Sequence, residues 1–246
     1  MRASGWQVLA GVLVNSLYAM KNLPIIMINT VLAPLSLLIV ITFASRGQLI
    51  GEAIEGGFIL SMFQAGMSLQ RDLTHYKTDF KLQDLVVSTP SSAGAYVTGM
   101  AIGELIYSLP ALAVLVILAA IYLHPSALAA LQLLGVLLLM FLASVTLGFT
   151  LSTFASDIIQ SWAFSNLIST LFSTLPPVYY PITYIPLPYQ YLAYVSPTTY
   201  AAEIAQGATG IISLSTLQIG VGWAVLIGAS LVFLLISLKK ARWREV

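Results

Sequence analysis

Few side chains in this sequence could carry covalent chemistry. His75 and His124 are its only histidines, and neither stands in an HExxH pattern that would set two imidazoles around a zinc ion. Serines are plentiful, but no GxSxG elbow exposes one as a nucleophile. The chain has no cysteine, which removes disulfides, thiolate metal sites and redox chemistry. No GxxxxGK[ST] loop is present to cradle phosphates, so ATP is not bound here in that way. No polar run repeats as an ion-selective filter would demand. No catalytic residue, metal site or cofactor is expected in this chain.

Two acidic residues remain. Glu104 lies inside a long apolar run. A carboxyl there is costly and faces a cavity or a partner group. It could line a translocation path, bind a cation or exchange a proton, or it could be a protonated carboxyl bonded to a neighbouring helix. Gly99 and Gly103 form a GxxxG pair beside it, which lets another helix approach. Asp157, with Gln160 three residues on, reads as a helix cap before it reads as a functional acid.

The elements that position these residues follow from composition. Of the 246 residues, 59% are hydrophobic and 8% charged, against roughly 25% charged in a soluble domain. So few charges cannot solvate a protein surface, and the bilayer must be the solvent for much of the chain. A net charge of +1 argues against nucleic acid as a partner. A bilayer core of roughly 30 Å takes about 20 apolar residues per helix. Runs at 24–44, 53–69, 95–123, 127–154, 158–175 and 217–238 predict six spans in an all-α integral membrane domain covering 1–246. No compact signal-peptide pattern opens the chain, and no cleavage is expected. Six spans put both termini on one side. The N-terminus, the loop after the second span and the C-terminus then share the cytoplasm and hold every basic residue except Arg46. Glu52 and Glu55 fall on the outer side, where acidic residues are tolerated.

Three connecting segments carry information. In 4–20, Trp6, Leu9, Leu13, Leu17 and Met20 recur at helical spacing, opposite Gln7, Gly11, Asn15 and Tyr18. This predicts a helix lying in the membrane interface, or an extension of the first span. The stretch 71–92 is the most polar in the chain, with Leu82, Leu85 and Val86 as a small apolar face and Pro90 closing it. It is longer than the usual connection of about 2–8 residues, which favours docking of a soluble partner over a bare solvated loop. The stretch 176–207 interleaves six prolines (Pro176, Pro177, Pro181, Pro186, Pro188 and Pro197) with tyrosines. Proline forbids a straight helix, and tyrosine favours the membrane–water interface. A broken, re-entrant outer segment is predicted, with a short helix after Pro197. It is an aromatic anchor, an outer gate formed by Tyr180, Tyr184 and Tyr200, or both.

The layout resembles the membrane subunit of type-2 ATP-binding-cassette (ABC) exporters. The resemblance rests on the amphipathic segment before the first span, then on RDLTHYKTDFKLQDLVVSTPSSAGAYVTG at 71–99, closest in LVVSTP, and on YIPLPYQYLAYVSPTTYAAEIAQG at 184–207. It covers the whole chain and lies mainly in the order of these features along six spans. Where many members carry a Glu and a Gly in the coupling region, this chain has Lys77, Thr78 and Asp79. The resemblance implies an elbow helix at 4–20, a cytoplasmic coupling helix in 71–92 and re-entrant outer helices. It implies a permease in the cell membrane that pairs with a second permease subunit and with separate ATPase subunits, which hold ATP and magnesium. Asp79, Phe80, Leu82, Asp84 and Leu85 become the ATPase-docking residues, and Glu104 a pathway residue. The alternative is a secondary transporter driven by an ion gradient, in which Glu104 would be the ion site; such proteins usually show internal repeats, and no convincing one is seen. A membrane enzyme is a third reading, against which the missing catalytic constellations count.

Overall fold

The structure, a computed structural model, describes residues 5–13, 25–79, 93–174 and 176–240. Among these the chain is helical without strands: α1 (Gly5–Val12), α2 (Ile25–Ala44), α3 (Ile50–Thr78), α4 (Ala93–Tyr122), α5 (Ala127–Phe154), α6 (Ile158–Ser169), α7 (Gln190–Ala193), α8 (Pro197–Ala208) and α9 (Thr216–Lys240). A π-helical turn at Thr170–Thr174 prolongs α6, and a single 3-10 turn spans Ile182–Tyr184.

Among the described residues, three helices are long and apolar enough to cross a membrane: 94–122, 127–154 and 216–239. α2 adds a shorter apolar stretch, Pro34–Ala44. These helices turn Leu, Ile, Val and Phe outward, as with Val40 and Phe43 on α2, Val116 and Ile117 on α4, Leu131 and Leu138 on α5, and Leu231 and Leu235 on α9. Water would penalise such a surface, whereas lipid tails do not. Pro34 and Pro110 sit inside helices, where neighbouring groups re-satisfy the freed backbone.

α3 is the axis of the bundle. It packs against α5 and α4 most extensively, then against α2, α6 and α8. Its burial explains its composition. Gly66 of α3 and Gly148 of α5 meet backbone to backbone: a Cβ on Gly66 would fall on the Ser144 carbonyl, and one on Gly148 on the Gly66 carbonyl oxygen. At this crossing Ser144 Oγ donates to the Met62 carbonyl across helices at 2.9 Å. The same small-residue logic brings helices together wherever no hydrophobic drive acts between them.

Several local expectations meet the structure directly. The predicted run 127–154 coincides with α5, whose N-cap Ser126 accepts from the Ala129 amide at 3.2 Å. Asp157 caps α6, accepting from the Gln160 amide at 2.8 Å, while Gln160 Oε1 reaches back to the Ser156 amide at 2.7 Å. The helix expected after Pro197 is α8, with Pro197 in its first turn and Ser196 as N-cap.

Other expectations are corrected. The second span, read as 53–69, belongs to a helix of 29 residues. It runs past Arg71: Thr74 and Thr78 donate to carbonyls four residues earlier within the helix, and His75 pairs with Asp79 one turn on at 2.6 Å. Residues 71–78, assigned from sequence to a loop, are therefore helical. Glu52 and Glu55, expected on the outer side among tolerated acids, are buried within α3. Gly56 and Gly57, near the start of the predicted second span, are packing sites: a Cβ on Gly56 would strike the Val178 carbonyl and the Tyr179 ring, and one on Gly57 would meet Leu115. In α1, Trp6, Leu9 and Leu13 are exposed while Val12 is buried, and α1 packs on α4. Leu17 and Met20 lie outside the described residues.

Candidate functional site

Helical periodicity assembles one polar cavity inside this apolar bundle. On α3, Gln64, Ser68 and Arg71 follow at intervals of four and three. On α4, Glu104, Tyr107 and Ser108 share one face, and on α6 Trp162, Asn166 and Ser169 do the same. These faces, with Pro34 of α2, enclose about 320 Å³, at the small end of ligand-site volumes.

Arg71 and Glu104 line the cavity, and Asp72 lies beside them. The Arg71 guanidinium lies 5.0 Å from the centre of the Trp162 ring, a cation–π distance, and donates to Ser68 Oγ at 2.8 Å. The Asp72 and Glu104 carboxyls face each other within hydrogen-bonding reach, and both feel the Arg71 charge. Two carboxyls can share a hydrogen bond only when one holds a proton. One guanidinium and one net carboxylate then leave the trio neutral. Glu104 is 4% exposed, and its Oε1 has no hydrogen-bond partner. An orphan acceptor at that depth is expensive unless a visiting group completes it.

Behind the cavity, a polar clasp fixes α6 to α3. Gln70 is fully buried; its Nε2 donates to the Ser161 carbonyl (3.0 Å) and Oγ (3.1 Å), and its Oε1 accepts from Ser165 Oγ at 2.7 Å. Interhelical bonds of this type contribute about 0.6–2 kcal/mol each in a membrane. The clasp holds Trp162 in place over Arg71. Sequence reading missed Gln70; the available signal was an amide directly after the small and apolar run 65–69 of α3.

A second buried acid sits towards the other end of α3. Glu55 is fully buried, and its Oε1 accepts from Thr209 Oγ, just past α8, at 2.5 Å. Its Oε2, the Gln206 amide nitrogen and the Tyr179 hydroxyl are buried without partners. Glu104 is thus not the sole ionisable residue inside a long helix of the bundle.

The remaining predicted residues are dispersed. Asp79 ends α3 on an exposed turn, bonded to His75 and to Thr78 Oγ. Phe80, Leu82, Asp84 and Leu85 lie outside the described residues. Tyr180 stacks on Tyr184, with ring centres 6.5 Å apart, while Tyr200 packs on Tyr194 at 5.5 Å. The three expected gate tyrosines therefore fall into two separate ring contacts. Tyr194 also donates to Glu203 at 2.9 Å, giving that acid a structural partner. Among the described residues, no three His, Asp or Glu side chains come together to hold a metal. Outside the membrane helices, hydrogen bonds from the Gln160 amide and the Ser156 hydroxyl hold the Asp157 carboxyl below the usual carboxylate range.

The arrangement suits binding and release better than bond making: it offers a cavity, one compensated charge cluster and no nucleophile–base pair. A family model described as ABC-2 type transporter matches residues 12–209, from the end of α1 through α8. Neither the curated proteins nor the solved structures gave a match.

Proposed function

The chain belongs to the ABC-2 type transporter family and is a permease component, and we propose that it is the exporting subunit of an ATP-driven transporter in the cell membrane. In this reading six helices cross the bilayer (α2, α3, α4, α5, α6 with its π turn, and α9), α1 is the elbow at the interface, and both termini are cytoplasmic. Two such subunits enclose the pathway, and two separate ATPases dock on the cytoplasmic side. The family match carries this reading: it covers residues 12–209, which take in the end of the segment before the first span, the polar region 71–92 and the broken outer segment.

The proposed coupling runs along α3. This helix extends without interruption from the buried Glu55 region to the polar end at Arg71 and Asp79. A rigid helix transmits a push at one end to the other, provided the contacts it makes differ in free energy between the two states. ATPase closure would press on Asp79 and on Phe80, Leu82, Asp84 and Leu85 beyond it. α3 would carry that displacement past the cavity towards α8 and the outer tyrosines.

The test is an affinity pull-down from mild detergent, comparing the intact chain with a Phe80→Ala/Leu85→Ala double variant. A soluble ATPase should co-purify with the intact chain and be lost from the variant while the variant keeps its melting temperature. If no ATPase co-purifies in any detergent, the ion-gradient reading replaces this one, and Glu104 becomes the residue to test first.

A further inference from the structure

Resting on the permease reading, we propose that the cavity beside Arg71, Asp72 and Glu104 takes amphiphilic molecules bearing one protonated amine, and that the Asp72–Glu104 pair releases its proton as the amine enters. The geometry supplies three reasons. First, Glu104 Oε1 is buried in the cavity wall and lacks a donor, which an ammonium N–H provides. Second, the trio contains two acids and one base, and Arg71 is already engaged by Ser68 and the Trp162 face. The surplus acid must hold a proton or face a cation from elsewhere. Third, the lining also includes the apolar Leu60, Ala65 and Ala111, so an alkyl or aromatic body attached to the amine is accommodated.

The charges balance. Before binding, Arg71 carries one positive charge and the carboxyl pair one negative charge and one proton. After binding, both carboxyls are ionised, and Arg71 and the ammonium together match them. The displaced proton passes to water. No bond other than O–H is broken, and the cavity stays neutral throughout, as a low-dielectric site requires. The other titratable groups facing the pair are His75 and Tyr76 from α3 and Tyr96 and Tyr107 from α4. α2 and α6 bring none.

The test is calorimetric titration of the full chain in lipid nanodiscs, with empty nanodiscs subtracted. The probes are octylammonium, octanol and octanoate, each near neutral pH in two buffers of different ionisation heat. Octylammonium should bind about tenfold more tightly than either companion and release about one proton per molecule bound. Glu104→Gln should weaken octylammonium about tenfold and abolish the release, whereas Glu104→Asp should retain it. Preferential binding of octanoate with proton uptake, equal binding of all three probes, or octylammonium binding without proton release overturns the proposal. So does unchanged binding to a folded Glu104→Gln chain. If Glu104→Gln does not fold, Ala111→Leu narrows the same cavity from its apolar lining and must also lose octylammonium; unchanged binding there overturns the proposal equally. ATPase co-purification is read separately, so failure of the cargo assignment and failure of the permease reading are distinguishable.

Discussion

α3 carries a buried carboxyl cluster towards each end, and the two are built on opposite plans. At the Arg71 end the acids face a guanidinium, an indole ring and an open cavity. At the Glu55 end, among the described residues, no basic group is near, the helices pack tightly, and a hydroxyl from Thr209 donates to the carboxyl. The first holds compensated charge with room for a visitor. The second is a hydrogen-bonded contact that fastens α3 to the end of α8. Burial alone therefore does not distinguish a binding site from a latch. Counter-charge and free volume do.

The largest expected effect tests the charge at the Arg71 end. An Asp72→Asn/Glu104→Gln double variant leaves Arg71 as an uncompensated buried cation. Breaking a buried ionic set from one side costs about 3–5 kcal/mol, so thermal unfolding in detergent should show a severe loss. Adding Arg71→Gln should restore much of it, since the site then holds no charge. Absence of rescue would mean that Arg71 is solvated rather than matched to the acids, and the contrast between the two ends would collapse. A smaller effect is expected for Glu55→Gln. Among the described residues Glu55 faces no basic group, and an amide oxygen can still accept from Thr209, so the loss should stay within about 1 kcal/mol. A loss as large as that of the double variant would show that Glu55 is ionised and paired with an unseen cation.

How much of this could be read from residues alone differs between the same two ends. Glu104 stood out because it interrupts a long apolar run, and the environment inferred for it, a cavity or a partner group, is what surrounds it. Its partners did not stand out. Arg71 and Asp72 read as loop residues, since a polar run after a span looks the same whether the helix stops or continues; only tertiary contacts with α4 and α6 decide. Gln70 and Ser165 are separated by 95 residues, and nothing local in either announces the other. Glu55 was misplaced for a related reason. The three glycines and two glutamates of GEAIEGG look like the outer edge of the second span, but Gly56 and Gly57 are there because Val178, Tyr179 and Leu115 press on α3. Turn and cap chemistry is local, so Asp157, Ser126 and the Pro197 start were legible. Helix-to-helix packing is not local, so the centrality of α3 was hidden.

The smallest expected effect concerns the cap that starts α6, and it touches only the Arg71 end. Asp157 accepts from the Gln160 amide at 2.8 Å and sets the first turn of the helix that carries Trp162 and Asn166 to the cavity. Asp157→Ala removes one of the acceptors that satisfy the free amides there. α6 should fray at its start, loosening Trp162 over Arg71 while leaving the Glu55–Thr209 contact intact. Hydrogen exchange should rise at the start of α6 and stay unchanged in α8; equal increases in both would show that the two ends are not separable. The pH dependence has a definite sign. Folding depresses the Asp157 carboxyl, so its contribution is fully present above the ordinary carboxylate range and is lost as pH falls through the depressed value. Wild type and Asp157→Ala should therefore differ at neutral pH and converge in acid. Divergence on acidification would mean that the protonated carboxyl, acting as a donor, is the form that holds the turn.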